Sequence, residues 1–188
     1  MIVTMKQFSF AFIKECEGGD KRAQKKLFEQ LYTPMFRVCQ RYVFHIPDAE
    51  DCMMNGFMKM YQNLSSFRFE GEHSLFSWVR KIMVNECLMF LRKKHNFMLS
   101  LDAEDMDVAI PNEMMLKLDT EDLFQKITSL PAGYRTVFNL YEVEGYSHQE
   151  ISGMLGISES TSRTQLAKAK FRLKKMIEEK EDSHATFG

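Results

Sequence analysis

The sequence predicts an all-α protein, two small helical domains joined by a flexible acidic linker, with a helix-turn-helix in the second. Three observations carry that prediction. Apolar residues recur at helical spacing through both ends of the chain. Only 9 Gly and 4 Pro occur in 188 residues, few for the turns of a β-sandwich. Between the two ends lies a block of one sign of charge, the composition of a solvated linker.

The first helical stripe is Leu27, Phe28, Leu31, Tyr32, Met35, Phe36, Cys39, Tyr42 and Val43. Pro34 lies inside it and is expected to kink that helix or divide it in two. A second helix is expected after Pro47, with Asp48 as N-cap and Asp51 in the first turn. Its inward face reads Ala49, Cys52, Met53, Phe57, Met60, Tyr61 and Leu64. The polar and aromatic run from Ser65 to His73 should form a loop. From about Ser74 a third helix carries Leu75, Phe76, Trp78, Val79, Ile82, Met83, Leu88, Met89 and Leu91, and ends in the cluster Arg92-Lys93-Lys94-His95. Trp78 shares a face with Leu75, Val79 and Ile82 and is therefore expected in the core. One bundle can bury all three stripes.

Residues 101–122 then hold eight acids and one base, with Pro111-Asn112 breaking any helix. Their net charge is −7, against +5 for residues 1–100 and +1 for residues 123–188. The overall −1, which taken alone argues against a nucleic-acid partner, is thus an average over opposite segments.

The last part is helical in shorter pieces. Leu123, Phe124, Ile127 and Leu130 form a brief stripe. Pro131 suits the first position of a helix through Tyr134, Val137, Phe138 and Tyr141 that stops near Gly145. Ser147-His148-Gln149-Glu150 fits a capping box. The short helix it opens turns Ile151, Met154 and Leu155 inward and ends at Gly156. Ser158 then caps a long final helix to roughly Glu179, followed by a polar tail.

Several function classes drop out. Cys16, Cys39, Cys52 and Cys87 contain no C-x-x-C pair, and the five His residues fall at no ligand spacing. The cysteines are expected as free thiols in a reducing cytoplasm. There is no H-E-x-x-H, G-x-S-x-G, P-loop or G-x-G-x-x-G. Neither an enzyme nor a cofactor or metal is expected. No stretch approaches the roughly 20 apolar residues of a membrane span, and the N-terminus lacks a signal peptide's apolar core, so membrane insertion and export are not expected.

The strongest local signal runs from Gln149 to Leu166, a helix-turn-helix. Ser152 and Gly153 are small enough for a close helix crossing, Gly156 tolerates a left-handed turn, and Ile151, Leu155, Ile157 and Leu166 can seal the core. The second helix should then expose Ser160, Thr161, Arg163, Thr164, Ala167 and Lys168, as a helix entering a major groove requires. Six bases and no acid lie between 161 and 175.

Together these segments resemble a bacterial sigma factor of the extracytoplasmic-function group. The likeness is carried by Pro47-Asp48-Ala49-Glu50-Asp51, Asn55-Gly56-Phe57-Met58-Lys59 and the run from Phe76 to Asn85 in the first half. In the second half it is carried by Leu130-Pro131-Ala132-Gly133-Tyr134-Arg135-Thr136-Val137-Phe138 and by Glu144-Gly145-Tyr146-Ser147-His148-Gln149-Glu150-Ile151. The resemblance implies a region 2 domain over 1–96, a linker over 97–119, a region 4 domain over 120–180 and a tail over 181–188.

It also implies roles. Asp48, Glu50, Asp51, Asn55 and Lys59 would dock on a coiled coil of the largest subunit of core RNA polymerase. Phe69, Glu70 and His73, with Phe67, would capture an unstacked base of the minus-ten element. Arg80, Lys81, Asn85, Arg92 and Lys93 would follow with contacts to the strand. Ser160, Thr161, Arg163, Thr164, Lys168, Lys170 and Arg172 would read the minus-thirty-five duplex. Promoter DNA, core polymerase and an anti-sigma protein are the implied partners. Ser162 departs from the resemblance, which expects a branched apolar residue there and leaves the rotation of the recognition helix open. A stand-alone helix-turn-helix regulator, with residues 1–96 sensing or dimerising, is the competing expectation.

Overall fold

In the first half of the chain the first two helices start where side chains can cap them. Ser9 accepts from the Phe12 N–H at 3.1 Å and opens α1 (Phe10–Glu17). The Asp20 carboxylate accepts from the N–H groups of Arg22 and Ala23, both at 2.8 Å, and opens α2 (Lys21–Tyr42). There follow α3 (Ile46–Gln62), a 3₁₀ turn (Leu64–Ser66) and α4 (Glu72–Lys93). The computed structural model describes residues 8–93 and 120–185. The expected linker 97–119, with Lys94 and His95, lies outside the described residues, as do the last three positions of the expected tail. Contacts divide the chain into two units, Met1–Phe90 and Leu91–Gly188.

The core of the first unit joins Leu27, Leu31, Met35, Cys39 and Tyr42 of α2 to Ala49, Met53, Phe57 and Met60 of α3. Leu75, Val79, Met83 and Cys87 of α4 complete it, and all thirteen are at most 2% exposed. Each large side chain contributes about 1.5–3 kcal/mol over leaving it in water. Gly56 sets how closely α3 and α4 approach, because a Cβ there would lie 2.3 Å from the Met83 sulfur. The expected stripes are largely the observed ones, with local corrections; Met89, expected in the stripe of α4, is exposed. Pro34 does not divide α2, which runs unbroken past it. Asp48 is not the N-cap of α3; the helix begins three residues earlier, with His45 at the cap and Pro47 in the first turn, where its missing N–H costs nothing. Trp78 is half-buried rather than core, its ring stacked on Phe67 of the preceding loop at 4.5 Å between centroids.

The second unit comprises α5 (Thr120–Ser129), α6 (Ala132–Phe138) continuing as a π-helical turn over Asn139–Val143, α7 (His148–Leu155) and α8 (Glu159–Ala185). Pro131 proves to be the N-cap of α6, in extended conformation, rather than its first helical residue. α6 and α7 pack on α8. Between them lie Tyr134, Val137, Phe138, Leu140, Ile151, Leu155, Ala169, Leu173 and Ile177, all buried. α8 extends beyond the expected end near Glu179 to Ala185, since no Gly or Pro interrupts its Glu- and Lys-rich end.

Candidate nucleic-acid interface

The helix-turn-helix is built from bonds to the backbone at four points. Ser147 and Glu150 form a reciprocal capping box: the Ser147 N–H donates to the Glu150 carboxylate at 2.8 Å, and the Glu150 N–H to the Ser147 hydroxyl at 3.3 Å. Gly156 ends α7 in the left-handed region at φ 69°, its N–H donating to the Ser152 carbonyl at 2.9 Å. The Ser152 hydroxyl donates to the Ile157 carbonyl at 2.6 Å and ties the turn. Ser158 then accepts from the Thr161 N–H at 2.9 Å and opens α8. Gly153 does not serve the close crossing expected of it: it is exposed, and a Cβ there would touch nothing within 4 Å.

At the start of α8, Ser160 and Arg163 are exposed and Thr161 and Thr164 half-buried. Arg163 pairs with Glu159 of its own helix at 2.8 Å, an exchangeable surface contact. Lys168 departs from expectation, being only 7% exposed and so not part of an open basic face. Lys170 is held by Glu142 at 2.6 Å, Lys174 by Glu178 at 3.7 Å, and the Arg172 guanidinium lies 5.3 Å from the centre of the Tyr134 ring. The six cations were expected to be uncompensated because no acid lies between 161 and 175. Three of them, Arg163, Lys170 and Lys174, meet acids from outside that window, Glu159, Glu142 and Glu178.

Ser162 is fully buried, and its hydroxyl meets Nδ1 of His148 at 2.8 Å. The imidazole also stacks on Tyr141, with 4.5 Å between centroids and 22° between planes. Burial, then repulsion from Arg163 and Lys170, lowers the His148 pKa below its ordinary 6.5, with Glu159 opposing. The unfolded chain thus binds the proton more readily, so this histidine's share of stability is present above pH 6.5 and lost as pH falls through the lowered folded value. The difference in unfolding midpoint between the native chain and His148→Asn should accordingly shrink on acidification, which thermal unfolding at several pH values measures.

In the first unit the loop before α4 is held on both sides. Phe67 stacks on Trp78 and meets Phe69 edge-on at 6.4 Å. The Glu70 N–H donates to the Ser74 hydroxyl at 3.0 Å, which donates to the Gly71 carbonyl at 2.7 Å, with Gly71 at φ 109°. The Phe8 N–H donates to the Glu72 carboxylate at 2.5 Å. Glu70 and His73 stay exposed, with Phe69 half-buried. On α4, Lys81, Asn85 and Arg92 are exposed and share one face, since spacings of four and eleven residues return to nearly the same azimuth. Arg80 is half-buried, and Lys93 is exposed on a neighbouring face.

On α3, Glu50, Asp51 and Asn55 are exposed, and Asp48 pairs with His45 at 3.3 Å. Lys59 does not extend this polar row freely, because its ammonium lies 2.6 Å from the buried Glu86 carboxylate. Sequence reasoning missed the apolar members of the same surface: Ile46, Met54 and Met58 are exposed. Their spacing from Glu50, four residues in either direction and then eight, was the available signal.

All four cysteines are free and buried, and burial pushes Cys16 up to about 11. Among the described residues no group of His, Cys, Asp or Glu is arranged to hold a metal ion, and no helix is long and apolar enough to cross a membrane.

The family profile for sigma-70 region 2 matches residues 27–97, and that for sigma-70 region 4 matches residues 120–173. A region 2 helical domain followed by a region 4 helix-turn-helix defines an initiation factor of the sigma-70 class. An ECF RNA polymerase sigma-E factor of Haemophilus influenzae is 30% identical over 183 residues, spanning 90% of this chain and 93% of that protein. The ECF sigma factor SigW of Bacillus subtilis is 27% identical, spanning 88% and 94%. Among solved structures, the sigma factor RpoE crystallised with the anti-sigma factor NepR from Bartonella quintana aligns at 21% identity and a TM-score of 0.48, covering 82% of this chain and 96% of that one. The chain belongs to the extracytoplasmic-function group of RNA polymerase sigma factors, which direct promoter-specific initiation of transcription. The region 2 match makes a stand-alone helix-turn-helix regulator the disfavoured reading.

Proposed function

We propose that the two units divide promoter recognition between them. Residues 1–96 dock on the largest-subunit coiled coil of core polymerase and hold the melted minus-ten strand; residues 120–180 read the minus-thirty-five duplex; 97–119 link them and 181–188 form the tail. Docking uses Asp48, Glu50, Asp51 and Asn55 on α3, with Met54 and Met58 adding apolar area between the charges. Phe69, Glu70 and His73 offer an aromatic face and hydrogen-bonding groups to an unstacked base, while Arg80, Lys81, Asn85, Arg92 and Lys93 follow the strand. Ser160, Thr161, Arg163 and Thr164 address base edges, and Arg172 a phosphate. The chain acts in the cytoplasm and performs no chemistry of its own, and an anti-sigma protein is the partner that would hold it inactive.

The observation that carries the duplex reading is the capped start of α8, where Ser160 and Arg163 stand exposed in the first turns. The purified chain with core polymerase should initiate specifically at a promoter identified by transcript mapping after overexpression; failure to bind core polymerase overturns the proposal. Arg163→Ala should weaken binding to the upstream duplex by about 1–3 kcal/mol, roughly 5- to 150-fold, while polymerase affinity holds. Fluorescence anisotropy on both partners measures this, and equal loss of both would mean misfolding instead.

A further inference from the structure

Ser162 sits between Thr161 and Arg163, on the side of α8 that faces into the unit, and is fully buried. An apolar side chain there would hold the helix by shape alone. A buried hydroxyl instead needs a hydrogen-bond partner, and that need makes the contact directional. The partner is Nδ1 of His148 at 2.8 Å, on the first residue of α7. The imidazole is in turn fixed by stacking on Tyr141, which projects from the π-helical turn after α6. Tyr141, His148 and Ser162 thus link three elements, and the last link lies one residue from each of two groups assigned to the DNA.

We propose that His148 is a positioning residue for promoter discrimination: its bond to the Ser162 hydroxyl sets the rotation of α8 about its own axis, and so the angle at which Ser160, Arg163 and Thr164 meet the base edges. A rotation of about 20° moves atoms at the rim of a helix, about 6 Å from its axis, by about 2 Å. That displacement exceeds the tolerance of a hydrogen bond to a base edge. Phosphate contacts from flexible cations tolerate the same movement. His148 therefore governs discrimination between sequences more than affinity for DNA in general. This inference rests on the duplex reading proposed above.

The test uses the chain assembled with core polymerase, on a mapped promoter and on the same fragment with its upstream element scrambled. The native holoenzyme should prefer the intact promoter. His148→Ala and Ser162→Ala should each lower that preference by about tenfold, with binding to the scrambled fragment and its salt dependence unchanged. The double variant should be no worse than either single one, because both remove the same bond. His148→Asn, whose amide places a hydrogen-bonding atom near the site of Nδ1, should restore most of the preference. Ser162→Ala is the small, conservative change that separates lost positioning from lost folding, and thermal unfolding followed alongside checks it. Native preference in His148→Ala, or an Asn variant as impaired as the Ala variant, overturns the assignment. If the native holoenzyme shows no preference for the intact element, the duplex reading fails first and this inference falls with it.

Discussion

Replacing Arg135 with methionine is expected to lower the unfolding midpoint of the C-terminal unit by about 10–25 °C and to leave the N-terminal unit untouched. Arg135 is 6% exposed, and its guanidinium donates to the carbonyls of Thr128 at 2.6 Å and Leu130 at 3.1 Å. Those carbonyls sit at the end of α5 and in the turn into α6, where helical partners have run out. Burial pulls its pKa down to about 10, so the group remains charged at neutral pH and both bonds are charge-assisted. Methionine fills much of the volume but leaves two carbonyls unpaired, each costing about 1–3 kcal/mol. A loss of about 3 kcal/mol is a large share of what a small helical unit possesses. Arg135→Lys should recover only part, because both bonds leave the single nitrogen Nη1, which lies beyond the reach of the shorter lysine side chain, and the more strongly hydrated ammonium is costlier to bury. The sole tryptophan, Trp78, lies in the N-terminal unit, so its fluorescence reports that unit alone while circular dichroism follows both. Unshifted transitions by both probes would show that the clamp contributes nothing.

The second large effect concerns Lys59, for which the family resemblance implies polymerase docking. Its ammonium lies 2.6 Å from Glu86, whose carboxylate is 7% exposed in the interior of the N-terminal unit. Lys59→Met strips the partner from a buried charge. A fully buried pair broken in this way loses about 3–5 kcal/mol; because the Lys59 side chain is itself 45% exposed, about 2 kcal/mol is the expected loss. The Trp78 transition in urea should move to lower concentration, and polymerase binding should weaken only as far as folding does. Adding Glu86→Gln to Lys59→Met removes the stranded charge and should recover most of the loss. Lost polymerase affinity at unchanged stability would instead make Lys59 a docking contact.

The helical stripes were legible because burial against a neighbouring helix imposes a period that composition cannot hide: Leu27, Leu31 and Met35 in α2, or Met53, Phe57 and Met60 in α3, read directly as core. Ser147, Gly156 and Ser158 were equally legible, since caps and left-handed turns are solved by residues adjacent in sequence. Two of the misread cations have partners far along the chain. Lys170 looked free until Glu142 reached it from the turn after α6, and Lys59 until Glu86 met it from α4. Lys168 looked exposed because it is one of six cations in a run without acids, yet it is buried. Gly153 and Gly56 exchange roles: the first is open to solvent, and the second is where two helices touch.

By itself, then, the sequence determined most of the elements, the caps at Ser147, Gly156 and Ser158, the order of the two units and the family. Each of these rests on local spacing or on motifs contiguous in the chain. Tertiary structure alone decided which cations remain available, where the close helix contact falls, and what holds α8 in rotation. A serine at position 162 is only a missing methyl group until the fold brings His148 to its hydroxyl. The physical reason is common to all three. Periodicity records which face of a helix is buried, but a charge or hydroxyl takes its meaning from the partner within about 3 Å, and that partner is chosen by packing.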